Sequence, residues 1–182
     1  MMAGLITYLR TYAQALPVVE QVASKTLEVA RSIIRAGQVI RRDLTASDLG
    51  ITDFKLEVPA GNTGEVDYIG SATSPVTVPD RKAIGIYGIV LEKEDENVHV
   101  DYIDLYVGGS RVRRWVLHPI KDGADTGKTL YLTSDQAIVL KEGSKFYVKV
   151  RAVNEDGSNP HDVRIVFLGF VAEPANEVIA KA

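Results

Sequence analysis

The chain has 182 residues, of which 46% are hydrophobic and 25% are charged, so it is long enough for one globular domain with a real core and an appendage. Its net charge of −3 gives no long-range attraction for phosphate polymers, and no specific nucleic-acid partner is expected. The absence of cysteine excludes disulfides and thiolate metal sites. No apolar run approaches the ~20 residues that span a bilayer, and Arg10 interrupts the apolar N-terminus. We therefore predict neither a transmembrane helix nor a signal peptide.

The first 37 residues carry a helical pattern. The apolar stripe, spaced by three and four residues, consists of Leu5, Ile6, Leu9 and Tyr12, followed by Val19, Ala23, Leu27, Ala30 and Ile34. This spacing is typical of an amphipathic helix. Because proline suits the first turn of a helix and not its interior, we predict two helical pieces with a break or kink at Pro17. Gly37 suits the position that ends the second piece, and residues 1–37 form the predicted N-terminal helical arm.

From residue 51 the hydrophobic period changes to two, which indicates strands. The predicted strands cover residues 54–58, 76–78, 83–91, 98–107, 111–117, 129–132, 137–140, 146–153 and 163–171. Short strands with polar loops and no further helix predict a mainly β fold, an antiparallel sandwich or barrel, over residues 51–173. Residues 38–50 are predicted as a linker in which Thr45 or Ser47 caps a short helical turn. Residues 174–182 are predicted as a C-terminal tail.

The stretch GGSRVRRWVLHP, residues 108–119, holds three arginines and the only tryptophan. In the strand before the turn, alternation puts Tyr102, Asp104 and Tyr106 on one face. In the strand after the turn, one face carries Arg111, Arg113, Trp115 and Leu117, and the opposite face carries Val112, Arg114 and Val116. Arginines divided between two faces make a poor phosphate stripe, and cross-strand pairing with Asp101 and Asp104 would neutralise them. The pattern favours an ordinary hairpin surface. A protein–protein contact is the functional alternative, because Trp, Tyr and Arg are enriched at interface hot spots.

No other motif points to chemistry. The loop KDGADTG, residues 121–127, offers carboxylates to a cation, but position twelve counted from Asp122 is Thr133, where a calcium loop needs glutamate. The three histidines, His99, His118 and His161, are isolated and lack zinc spacing. Neither a nucleophile elbow nor a phosphate-binding glycine loop is present. We predict a protein with no catalytic residue, no cofactor and no metal site, although a cation in the loop of residues 122–127 remains open.

A helical arm followed by about eight antiparallel strands, without a catalytic motif, resembles the single jelly-roll coat proteins of viruses. The layout is more narrowly similar to small coat proteins of icosahedral viruses that carry an internal membrane. The resemblance covers residues 1–37 as arm and 51–171 as sandwich, and it rests on layout. It implies a virion location, self-assembly into homo-oligomers, contacts with other virion proteins and a β domain that forms the shell. The arm is not strongly basic, which favours contact with neighbouring subunits or an internal membrane over contact with genome.

The residues expected at contacts are Leu9, Tyr12, Val19, Leu27, Ile34, Tyr102, Tyr106, Arg113 and Trp115. The main alternative is a non-catalytic β-sandwich module that binds carbohydrate or a cell-surface receptor, for example in a viral spike. In that case Tyr102, Tyr106 and Trp115 would form an exposed aromatic platform. A cupin-type metal enzyme is a third possibility, but the spacing of the histidines does not fit it.

Overall fold

The structure, a computed structural model, describes residues 2–34, 37–93, 96–117, 127–133 and 137–175, with the backbone alone for residues 2–14, 93 and 127–129. Its helical elements are α1 (Met2–Ile33) and a short 3-10 helix (Ala46–Leu49). Its strands are β1 (Val39–Asp43), β2 (Lys55–Val58), β3 (Glu65–Ile69), β4 (Val76–Thr77), β5 (Ala83–Lys93), β6 (Val98–Val107), β7 (Ser110–Val116), β8 (Gly127–Leu132), β9 (Ile138–Lys141), β10 (Lys145–Asn154) and β11 (His161–Pro174).

The strands form two antiparallel sheets. The first has the order β1-β11-β5-β8, with β2 also pairing β11 and β9 also pairing β5. The second has the order β3-β10-β6-β7, with β4 also pairing β10. Because β1 and β2 share a partner strand, as do β3 with β4 and β8 with β9, each of these pairs acts as one interrupted strand. The described residues thus form an eight-stranded jelly roll of two sheets. The predicted mainly β sandwich with an N-terminal helix is confirmed.

The core lies between the sheets and comes from alternate residues of the long strands. In β10, Phe146, Val148 and Val150 point inward and are at most 1% exposed. The Trp115 ring packs nearly perpendicular to that of Phe167 of β11, with the ring centroids 6.0 Å apart. Burying one such large apolar side chain contributes about 1.5–3 kcal/mol. The alternation that predicts strands therefore also separates core residues from surface residues.

Helix α1 packs on the outer face of the first sheet. The buried contacts join Val22, Ala23, Ala30 and Ile34 to Ala83, Phe170 and Ala172 of β5 and β11. Gly85 of β5 permits this close approach, because a β-carbon there would lie 1.9 Å from the Thr26 hydroxyl oxygen. That hydroxyl donates to the carbonyl of Val22 at 2.6 Å, so the buried polar group is satisfied. One face of the sandwich is thus covered by the chain's own helix.

The structure has one helix where two pieces were predicted, because α1 continues through Pro17. Pro17 lacks an amide hydrogen for the carbonyl of Ala13, and an interior proline costs a helix about 3 kcal/mol. The residues just before it, AQAL, are good helix formers. The turns after it pack on the sheet, which offsets the cost. Tertiary packing therefore overrides the local signal for a break.

The segment predicted as a linker contains a strand of the first sheet. β1 pairs with β11 along its whole length, from Val39 opposite Pro174 to Asp43 opposite Phe170. The 3-10 helix follows, which agrees with the predicted helical turn. Thr45 precedes it in an extended conformation, and its hydroxyl donates to the Asp48 carboxylate at 2.6 Å. The predicted linker is therefore part of the sandwich, to which β1 is held by sheet hydrogen bonds.

Candidate interaction surface

The outer face of the second sheet carries tyrosines, arginines and carboxylates in rows that cross the strands. From β3 to β7 the rows are Glu65, Arg151, Tyr102 and Val116, then Asp67, Lys149, Asp104 and Arg114, and, starting at β10, Tyr147, Tyr106 and Arg111. We call this surface the tyrosine–arginine face. Acidic and basic side chains alternate across the middle row, and such cross-strand pairs attract one another.

A β-bulge decides which arginines reach this face. The register of β6 and β7 shifts between Leu105 and Tyr106, so that Leu105 lies opposite Arg113 and Tyr106 lies opposite Arg111. The extra residue turns Arg111 outward, onto the same face as Arg114. The predicted grouping of Arg111 with Arg113 is therefore wrong, because simple alternation does not account for a bulge. Arg113, one of the predicted contact residues, lies half-buried on the inner side of this end strand.

A buried carboxylate anchors the face. Asp104 is 0% exposed, and Arg114 donates to it from Nε at 2.7 Å and from Nη2 at 2.6 Å. The Arg111 guanidinium and the Tyr106 hydroxyl each lie 3.5 Å from its Oδ2 atom. Hydrogen bonds from Arg114 to Asp104 raise the pKa of Arg114 above its ordinary value. Two-point pairing of this kind fixes the geometry of both side chains.

The tyrosines on this face are held by stacking. The rings of Tyr106 and Tyr147 are 4.6 Å apart and inclined by 7°, and the Arg114 guanidinium lies 3.7 Å from the centre of the Tyr102 ring. The Tyr102 hydroxyl donates to Glu65 at 3.0 Å. Burial, reinforced by the charge of Asp104, raises the pKa of the Tyr106 hydroxyl. The face is therefore ordered by its own contacts, with little side-chain freedom left to lose on binding.

Trp115 is a core residue and not part of the face. Its side chain is 5% exposed and packs on Phe167, and Leu117, two positions later, is 1% exposed. Both lie on the inner side of the sandwich, which the alternation of Trp115 and Leu117 already indicates. The predicted platform of Tyr102, Tyr106 and Trp115 therefore loses its largest member, while Tyr102 and Tyr106 lie on the outer face as predicted.

The predicted contact residues of the arm divide into two groups. Val19, Leu27 and Ile34 pack against the first sheet of their own chain. The side chains of Leu9 and Tyr12 lie outside the described residues. The second half of the stripe is thus used within the chain. Among the residues that the structure describes, no helix combines the length and hydropathy that a bilayer crossing requires.

A second charged cluster, which sequence reasoning missed, lies where β1 joins the sandwich. Glu173, 2% exposed, forms ion pairs of 2.5 Å with Arg42 and with Lys82. Arg42 also donates twice to Asp48, both at 2.6 Å. Burial raises the pKa of Glu173, but the contacts with Lys82 and Arg42 outweigh it, so this pKa is below its ordinary value. The sequence gives no local signal, because 131 positions separate Arg42 from Glu173.

His99 and His161 each lie against a different carboxylate. His99 Nε2 is 3.3 Å from Glu155, and His161 Nε2 is 3.1 Å from Asp156. His118 and residues 122–126 of the predicted loop lie outside the described residues. Within the ranges that are described, no group of three or more His, Asp or Glu side chains could hold a metal ion.

A depression of about 390 Å³ lies beside β2, β5 and β11. Its lining includes Lys55 and Asp162, which form an ion pair of 2.6 Å, together with Arg164 and Glu92. Small-molecule sites are lined mainly by apolar and aromatic side chains. The charged lining does not fit that class of site, and the tyrosine–arginine face remains the candidate.

Comparisons with known proteins yield a structural likeness alone. No family model matches the chain, and no curated protein matches it. The structure of T=1 particles derived from infectious bursal virus is similar to this chain, with 10% identity and a TM-score of 0.41. The alignment covers 76% of this chain and 32% of the particle's chain. The VP2 subviral particle of infectious bursal disease virus matches 74% and 32%, with 10% identity and a TM-score of 0.38. The T13 particle of this virus matches 78% and 32%, with 12% identity and a TM-score of 0.40. The chain thus spans about a third of these proteins' length, and a likeness this distant assigns no function.

Proposed function

We propose that this chain is a non-catalytic structural protein that assembles with copies of itself, as a virion coat or coat-associated protein does. The observation that carries the proposal is the tyrosine–arginine face. One sheet of the jelly roll is covered by α1, whereas the other presents Tyr102, Tyr106 and Arg114 on its outer face. Tyrosine and arginine are among the residues most enriched at interface hot spots.

The rigidity of the face supports this proposal. Association costs roughly 0.5–1.5 kcal/mol for each long side chain that it immobilises. Here Arg114 is already fixed by Asp104, and Tyr106 by Tyr147. A partner would therefore meet a surface whose ordering cost was met during folding. The exposed Val116, 56% accessible at the margin, adds apolar area for a partner to bury.

The proposed role of α1 divides at Pro17. Residues after it pack on the first sheet, so this half of the arm belongs to the subunit. The preceding half is the part that we propose contacts neighbouring subunits, other virion proteins or an internal membrane. Leu16, with 42% of its surface exposed, marks where the packed half ends.

Sedimentation of the full-length chain over a concentration series tests the proposal. We expect a defined oligomer or particle that Val116→Glu weakens, because the substitution places a charge on the tyrosine–arginine face. Leu130→Glu is the matched control, since Leu130 is an exposed aliphatic residue, 37% accessible, of β8 in the first sheet. A monomer at every concentration, or equal weakening by both substitutions, would contradict the proposed role of this face.

The carbohydrate-binding alternative has less support. Trp115 is buried, one side of the Tyr102 ring lies against Arg114, and Tyr106 stacks on Tyr147. A sugar needs an open aromatic face on which to stack, and these contacts leave little of it. Specific binding of a monomeric chain to a glycan array, lost on Tyr102→Ala, would favour this alternative.

A further inference from the structure

We propose that copies of this chain join head to tail through the two end strands of the second sheet. The acidic edge, β3 with Glu65 and Asp67, would meet the basic edge of the next copy, β7 with Arg111, Arg113 and Arg114. The inference rests on the proposed self-assembly and names the surface and the partner, a second copy of the chain.

Both edges offer backbone for pairing. Within the described residues, β3 pairs only with β10 and β7 pairs only with β6, so each is an end strand. An end strand carries a row of N–H and C=O groups that another strand can satisfy. On β7, Val112 and Val116 are 51% and 56% exposed. A strand added at this edge would cover apolar as well as polar surface.

Charge selects which edges meet. The side chains of Glu65 and Asp67 are 34% and 49% exposed on β3, and that of Arg111 is 48% exposed on β7. Two copies of β7 side by side would oppose arginines, and two copies of β3 would oppose carboxylates. Pairing of unlike edges brings opposite charges together, and the like pairings are disfavoured.

Strand direction agrees with the same arrangement. Each neighbouring pair in the order β3-β10-β6-β7 is antiparallel, so β3 and β7 run in opposite directions. A copy rotated about an axis parallel to the strands keeps its strand directions. Its β3 then runs antiparallel to β7 of the first copy, and the sheet continues without a change of pattern. Repetition of such a head-to-tail contact gives a ring when the rotation closes.

The contact between the two edges is small, so its strength depends on how many contacts each copy makes. β3 has five residues, and at about 3.3 Å per residue such a strand is short. It buries less than the ~800 Å² per partner of a standard interface. One contact alone is therefore weak, and a closed ring in which every copy uses both edges is stable. Because exposed charges select the partner, high salt weakens the assembly.

Two edge variants of the full-length chain test the proposal. The first, Glu65→Lys with Asp67→Lys, makes the acidic edge basic. The second, Val112→Glu with Val116→Glu, adds carboxylates to the basic edge without altering an ion pair. Matched controls are Asp80→Lys and Lys141→Glu, two exposed charged residues outside β3 and β7. Thermal unfolding and near-ultraviolet circular dichroism verify that each variant is folded.

Each edge variant alone is expected to assemble only at a protein concentration at least about tenfold higher. This change corresponds to a loss of ~1.4 kcal/mol in the free energy of association. An equimolar mixture of the two restores assembly, because the added lysines of one variant then meet the added carboxylates of the other, and the unaltered edges meet each other. The controls assemble as the unaltered chain does. Two results would overturn the edge pairing alone. In the first, the unaltered chain assembles and both edge variants assemble equally well. In the second, the mixture of folded variants fails to assemble. Failure of the unaltered chain to assemble would overturn the proposed function as well.

Discussion

The two sheets share one core and differ in their outer faces. The first presents small and apolar residues, Ala83, Gly85 and Ala172, and α1 covers them. The second presents Asp104 and Arg114 among tyrosines, and these side chains satisfy one another. An apolar outer face needs a cover from its own chain, whereas a paired polar face stays ordered in water. The second face is therefore the one that we propose meets a partner.

Trp115→Ala should have the largest effect on the free energy of unfolding, because Trp115 supports both sheets from inside. Removal of a large core aromatic costs about 3–5 kcal/mol. Urea denaturation measures the loss, with Val112→Ala as an exposed control on the same strand. A loss for Trp115→Ala no larger than that of the control would show that Trp115 is not a core residue.

Asp104→Asn tests whether the second face is held together by its buried carboxylate. The variant keeps the shape and removes the charge that Arg114 binds, and hydrogen bonds to charged groups contribute about 1.5–3 kcal/mol. Thermal unfolding and sedimentation should show lower stability and weaker assembly together. Glu65→Gln is the control for stability alone, at a more exposed pair with Lys149 on the same face. An Asp104→Asn chain as stable as the control would mean that Asp104 does not anchor the face.

Gly85→Ala tests the cover of the first face. The added β-carbon would lie 1.9 Å from the Thr26 hydroxyl oxygen, and overpacking of this kind costs about 1–3 kcal/mol. We expect lower stability and faster proteolysis of α1. At Gly64 nothing lies within 4 Å of an added β-carbon, so Gly64→Ala should change little. Equal proteolysis of α1 in the two variants would argue against close docking of the helix.

Acid should weaken the join between β1 and the sandwich. Burial acts to raise the pKa values of Glu173 and Asp48, but their basic partners lower both below the ordinary values of 4.5 and 3.8. A lowered folded-state pKa adds stability above the unfolded value, and this is lost as pH falls through the folded value. Glu173→Gln should therefore flatten the dependence of the melting temperature on pH below about 4.5. An unchanged slope would mean that folding does not shift the pKa of Glu173.

Glu28→Gln should have the smallest effect. Glu28 pairs with Lys25 at 3.0 Å on the solvent side of α1, where both side chains are at least half exposed. Exposed pairs of this kind contribute under about 1 kcal/mol. A change in melting temperature as large as that of Gly85→Ala would show that the outer side of α1 makes contacts beyond this pair.

Strong alternation allowed much of the sandwich to be predicted. Predicted strands 83–91, 98–107, 146–153 and 163–171 agree with β5, β6, β10 and β11 within a few residues. In β10, polar Lys149 and Arg151 alternate with Phe146 and Val148, so the same signal could have placed Tyr147 and Lys149 on the outer face. The strands that escaped prediction, β1 and β3, are short and rich in charge, and they form because long neighbours supply their pairing.

The missed features depend on distant contacts. The bulge that turns Arg111 outward is a property of two strands in register, and alternation in one strand does not contain it. The continuity of α1 through Pro17 depends on the sheet beneath its second half. The cluster of Arg42, Glu173 and Lys82 joins three separate segments. These features therefore had no local sequence signal.

The mass and shape of the purified full-length chain, by light scattering with negative-stain imaging, should be measured first. A defined ring or particle that dissociates at high salt is the expected result of the proposed association through the tyrosine–arginine face and its charged edges. A monomer that persists at high concentration and low salt would contradict self-assembly as the function of this jelly roll.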